Sequence, residues 1–374
     1  MFDIIFPFDL LSNIANYLVI FLFIQFFYIK KYISKKKNIF LSLISLTPFF
    51  VNGFLFNWEY MYDQIRYVTA TNHLRNFNFS DAEFEYGRIG SSVRYATYIY
   101  FLVPLPFVYH ISSIGFMNKF LYVCFYVFLN NKKYLDNYTN IFYLTFPSLI
   151  LYTSVSLRDT LIFIMSTSCV VCYLNKRYFS TLLILLITLL NRPVMGVLIF
   201  IVLVSHFIIF ENKRYRDLII FLVALLSLVV FVVFGDRIFS YINFYRIGLF
   251  WDSGIFPEDV PVITGKYHLI FEVFKNSLIS FFIPSLNEVN NLHRAVQFLE
   301  NIFVFIFLIF ITIKCFNYNK KRTLFWLFFI LVSLGLFSVV VDNPGTFVRY
   351  KFSIVMFFVT AFSFDCIIKN YVKK

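Results

Sequence analysis

"NKKRTLFWLFFILVSLGLFSVVVDNPG" (residues 319–345) holds 19 consecutive uncharged residues between Arg322 and Asp342. At about 1.5 Å per residue, a helix of that length covers about 28 Å, close to the roughly 30 Å hydrocarbon core of a bilayer. A soluble surface helix exposes a polar, charged face, and this run has none. One end carries Lys320, Lys321 and Arg322; the other carries one acid and a Pro-Gly pair. The segment reads as a membrane span with its basic end in the cytoplasm, the side on which Lys and Arg are retained.

The same pattern recurs along all 374 residues. The chain is 60% hydrophobic and 14% charged, whereas a soluble domain is about a quarter charged. Basic clusters at 30–37, 131–133, 175–177, 211–216, 319–322 and 369–374 alternate with apolar runs. The formal charge of +13 is therefore an orientation signal, and no nucleic-acid partner is expected. The N-terminus carries Asp3 and Asp9 and no basic region, so no cleavable signal peptide is expected.

Placing those clusters in the cytoplasm predicts an all-α, polytopic integral membrane protein, a single transmembrane domain over 1–374. The expected crossings are 11–29, 38–56, 139–155, 158–174, 179–190, 194–210, 217–234, 296–313, 323–341 and 351–368. Residues 93–130 add one net crossing and a re-entrant or interfacial piece. The total is about 11 helices, with the N-terminus outside and the C-terminus cytoplasmic. Two larger external loops, about 57–92 and 235–295, fall on one side, and 267–284 is apolar enough to lie on the membrane. Cys124, Cys169, Cys172, Cys315 and Cys366 sit in or beside apolar runs and read as reduced packing residues.

On this trace lysine and arginine separate. Of 19 lysines 15 are cytoplasmic, whereas 10 of 14 arginines are external or at the external edge. The guanidinium is the fork that recognises phosphate or carboxylate in a bidentate manner and never loses its charge. Loop arginines such as Arg75, Arg237 and Arg246 are expected to pair with external acids or lipid headgroups. Arg158, Arg192 and Arg349 are flanked closely by apolar helix, where a charge is costly and marks function. They predict an anion-binding cavity open to the outer face.

Four segments place a charge on a helix break at that face: "FPSLILYTSVSLRDTLI" (146–162), "LLNRPVMG" (189–196), "FFIPSLNEVNNLHRAVQFLEN" (281–301) and "VVVDNPGTFVRYKF" (339–352). "YMYDQIRYVTATNHLR" (60–75) projects to the same side. In this order the segments resemble Wzy-like O-antigen/polysaccharide polymerases over about residues 60–355. The "IPSLNE" run departs from the pattern of that family.

The resemblance implies a metal-independent glycosyltransferase without a cofactor. It would join undecaprenyl-diphosphate-linked oligosaccharide repeat units on the outer face of the bacterial inner membrane, with membrane lipid and a chain-length regulator as partners. Diphosphate needs fixed cations, for which Arg158, Arg192, Arg349, Arg294 and Arg66 are the candidates. The acceptor hydroxyl needs a general base, for which Asp159, Asp63, Glu300 and His293 are the candidates. Asp159 is equally readable as a structural ion pair or the orienting partner of Arg158. Tyr67, Tyr152 and Tyr350 are expected substrate contacts. His73, His110, His206 and His268 are background, and no carboxylate or histidine cage points to a metal. The alternatives are an O-antigen ligase, another polyprenol-dependent glycosyltransferase, or a lipid-linked oligosaccharide flippase. A transporter is expected to show internal repeats and a charged midplane cavity, and neither is visible.

Overall fold

A computed structural model describes residues 6–52, 54–55, 63–89, 91–211, 235–237, 239–244, 246–248, 262–289, 292–341 and 344–368. Among them the regular structure is helical, and the chain groups into two compact units, Met1–Gly196 and Val197–Lys374.

The first unit begins with α1 (Phe6–Ile29), α2 (Lys35–Ile44), α3 (Pro48–Val51), α4 (Asp63–Arg75), α5 (Phe79–Ile89) and α6 (Ser91–Phe101). It continues with α7 (Ser113–Asn131), α8 (Asn137–Thr145), α9 (Pro147–Tyr152), α10 (Asp159–Leu174) and α11 (Tyr178–Asn191). Helix α12 (Pro193–His206) leads into the second unit. There α13 (Lys266–Ile279), α14 (Leu292–Tyr318), α15 (Lys320–Val340) and α16 (Pro344–Ala361) follow, and α16 runs into a π-helical segment, Phe362–Ile368.

Helix α11 shows what the surroundings must be. Thr181, Leu185, Thr188 and Asn191 are buried, whereas Leu182, Leu183, Leu186 and Leu190 are exposed. A helix in water has the opposite arrangement. Polar residues turned inward and leucines turned outward suit a hydrocarbon solvent, where buried side chains meet through small and polar groups. Among the described residues five helical segments are long and apolar enough to cross a membrane: Leu10–Ile29, Pro193–Glu211, Arg294–Tyr318, Lys320–Val340 and Thr346–Ile368. Helices α10 and α11 are apolar but shorter, at 16 and 14 residues.

Several expected crossings are broken, which accounts for part of the difference from about eleven. The 38–56 run divides at 45–47, where Ser45 Oγ bonds back to Leu41 O at 2.7 Å and Pro48 opens α3. Proline has no N–H to continue the ladder. For the same reason Pro147 divides 139–155 into α8 and α9. In 93–130 two helices, α6 and α7, flank an irregular stretch holding Pro104 and Pro106. The expected crossing 217–234 lies outside the described residues.

Three helices end on a lysine in the left-handed region: Lys31 after α1 (φ 59), Lys133 after α7 (φ 56) and Lys176 after α10 (φ 61). Glycine is the usual residue there. A lysine trades some backbone strain for a cation beside the negative helix terminus. These lysines belong to the clusters expected to face the cytoplasm.

In the second unit one residue, Asn319, separates α14 from α15, and its side chain caps α15 by accepting from Arg322 N at 3.1 Å. So short a link makes α14 and α15 antiparallel neighbours. The contacts Cys315 Sγ to Phe362 O (3.5 Å) and Thr323 Oγ1 to Cys366 Sγ (3.9 Å) bring the end of α16 back to the same pole.

Candidate functional site

Between α9 and α10 the chain leaves the helix for six residues, and Thr153 through Leu157 are all buried. Irregular backbone in a membrane protein needs internal partners, because each unsatisfied group in hydrocarbon costs several kcal/mol. The neighbouring helices supply them. Asn118 Nδ2 donates to Val155 O (2.7 Å) and Leu157 O (2.8 Å), and the Tyr100 hydroxyl donates to Leu157 O (2.8 Å). Ser156 N donates to Gln64 Oε1 at 2.8 Å, and Gln64 is itself held by a reciprocal amide pair with Asn52. Lys119, fully buried, donates to Ile150 O (2.9 Å) and Thr153 Oγ1 (2.7 Å) and lies over the Tyr122 ring. Gly115 permits the approach: a Cβ there would overlap Ser154 O, and its N–H donates to Ser156 Oγ at 2.9 Å.

This turn delivers Arg158 and Asp159 to the start of α10. Asp159 is buried in the first turn, where the positive helix terminus favours a carboxylate. It accepts from Arg192 Nη1 at 3.1 Å, and Arg158 Nη1 donates to Asn191 O at 2.9 Å. The S-L-R-D and N-R-P motifs therefore meet, with their partners crossed. Each arginine reaches over to the other motif, and Asp159 holds Arg192 (13% exposed) in an almost dry ion pair.

Helix α4 reaches the same turn. Tyr67 on α4 is buried and edge-on to Tyr100, with ring centroids 6.5 Å apart, and Gln64 touches Ser156 directly. Arg66 is half-buried, while Asp63 is exposed at the start of α4. Tyr152 is buried, and its carbonyl accepts from Thr160 Oγ1 at 3.2 Å.

The other two motifs meet within the second unit. Lys351, buried on α16, donates to Phe281 O (3.1 Å) and Asn301 Oδ1 (2.5 Å), and Asn301 Nδ2 donates to Ile283 O at 2.8 Å. Glu300 is 9% exposed and is an electrostatic neighbour of Lys351. Arg294 and Arg349 are half-buried on α14 and α16, and Tyr350 packs edge-on to Phe337. His293 is helical in its backbone, but its side chain lies outside the described residues, as does Asp342.

Two loop arginines have partners other than those expected. Arg75 takes the carbonyls that close α6, donating to Tyr100 O (3.2 Å), Val103 O (2.5 Å) and Leu105 O. Arg246 donates to Val339 O at the end of α15 at 2.7 Å. Arg94 pairs with the acid Glu83, as a loop arginine is expected to.

The motifs do not single out Asn118, Lys119, Tyr100 or Gln64. Lys119 and Lys351 carried a signal, being two of only five lysines outside the basic clusters. His206, taken as background, is fully buried with Asp365: His206 Nε2 and Trp326 Nε1 each lie 3.1 Å from Asp365 Oδ2, and Arg322 pairs with Oδ1. That cluster ties α12, α15 and the π-helical end of α16 at the lysine-rich pole.

Compared with protein-family models, curated proteins and solved structures, the chain finds no match in any of the three.

Proposed function

We propose that this chain is a membrane polysaccharide polymerase of the outer face of the bacterial inner membrane, extending undecaprenyl-diphosphate-linked repeat units. The observation that carries the reading is the crossed pair at the buried helix break: Arg158 to Asn191 O and Arg192 to Asp159. Two guanidinium groups fixed by protein partners are pre-oriented for an anion, so little reorganisation accompanies charge development on a leaving diphosphate. The acceptor hydroxyl attacks the anomeric carbon of the donor saccharide. The bond from that carbon to the diphosphate breaks, the hydroxyl proton passes to a carboxylate, and undecaprenyl diphosphate leaves with the electron pair.

In this scheme Asp159 orients Arg192. Asp63, exposed on the helix that also contacts the break through Gln64, takes the proton. Arg66 on the same helix completes the anion-binding set of the first unit.

Reconstitution into liposomes with purified lipid-linked repeat unit and no energy source tests the reading. A ladder of longer glycans is expected, shortened or lost in Arg158→Ala. Movement of unchanged substrate across the bilayer without extension would overturn it in favour of a flippase.

A further inference from the structure

We propose that residues 262–289 form a re-entrant hairpin: α13 enters the bilayer beside α15, the chain turns within the protein, and it returns to α14 on the side it came from. Four observations carry this. Helix α13 has 14 residues, about 21 Å, too short for a roughly 30 Å core. It runs antiparallel to α15, with Ile263 and Leu269 clustered on Val339 and the later residues Val273 and Ser277 against Gly335, where a Cβ would overlap Val273 O. Such a glycine–serine contact brings two helices close in the way membrane packing favours. On the opposite face Tyr267, Phe271, Phe274 and Leu278 are exposed, with spacings of four, three and four residues. An outward apolar stripe of this kind belongs against lipid.

The fourth observation is depth. The turn after α13 gives its carbonyls to protein donors, Phe281 O to Lys351 and Ile283 O to Asn301. Lys351 is the eighth residue of α16 and Asn301 the tenth of α14, so they lie about 10 and 14 Å along those helices from their starts. Ser280, Phe281 and Pro284 are buried there. A loop on the membrane surface gives its carbonyls to water and has no use for a buried ammonium group.

The hairpin thereby sets its turn beside Glu300, and Asn301 and Lys351 are its positioning residues. Resting on the polymerase reading, this makes the turn a polar site of the second unit, for the saccharide head of a lipid-linked substrate.

The test places a genetically encoded fluorescent amino acid at 267, 271, 274 or 278 of the full chain in nanodiscs with lipids brominated at defined acyl positions. A re-entrant helix gives quenching that deepens steadily, by up to about 16 Å from 267 to 278. Equal, shallow quenching at all four positions overturns the hairpin. In K351M and N301A the probe at 278 is expected to rise toward the surface and chain extension to fall at least tenfold, with K351R restoring both. Unchanged depth and unchanged chain length in both variants would remove the positioning role. A depth gradient in a wild-type protein that never extends glycans would sink the polymerase reading and leave the hairpin standing.

Discussion

Arg158 and Arg192 divide the work that a reading by adjacency assigns to Arg158 and Asp159. The neighbour in sequence is not the partner in space, because Asp159 pairs with Arg192, 33 residues on. Removing one member of a buried pair strands the other charge, typically at a cost of about 3–5 kcal/mol. Arg192→Ala is therefore expected to lower both Tm and glycan extension. The double variant Arg192→Ala/Asp159→Asn removes the stranded charge, so most of the thermal stability returns while extension stays lost. Recovery of both in the double variant would show that the pair is structural only. Thermal melts in detergent alongside gel-resolved glycan ladders separate the outcomes.

At the scale of elements, the helix breaks are the design. Pro147 ends one ladder, and α7 answers with the Tyr122 hydroxyl on the freed Tyr143 O at 2.6 Å, while Asn118 and Lys119 serve the carbonyls at the end of α9 and in the break after it. Gly115→Ala pushes a methyl group into Ser154 O and is expected to cost about 1–3 kcal/mol as overpacking, read as a lower Tm with loss of the Arg158 site. Helix ends also explain part of the arginine asymmetry. Arg75, Arg158 and Arg246 each donate to carbonyls at a helix C-terminus, where the partial charge is negative. Because Arg75 reaches three carbonyls from one planar fork, Arg75→Lys is expected to restore only part of the Tm lost in Arg75→Met. Equal melts for Arg75→Lys and the native protein would contradict the cap.

For the whole molecule, the inverted polarity of α11 and the five long apolar segments belong to a multi-pass membrane protein. The trace puts the lysine-rich pole of α14 and α15 in the cytoplasm. Lys321→Cys is then expected to resist a membrane-impermeant thiol reagent in intact cells and to react after permeabilisation. Labelling of intact cells would reverse the assignment of sides.

The membrane class, the helical content and the basic poles were legible in the composition, since hydropathy over about 20 residues and the position of lysines are local properties. The motif residues Arg158, Asp159 and Arg192 were also legible, as charges where charge is expensive. The crossing count was not: whether an apolar run continues through Ser45 or Pro147 depends on donors elsewhere in the chain that take the freed carbonyls. Nor was the pairing, because only the packing of α10 on α11 turns Asp159 toward Arg192. Lys119, Asn118, Lys351 and Asn301 act through carbonyls 15 or more residues away. A main-chain acceptor leaves no mark in a sequence, so their partners emerge only when the chain is folded.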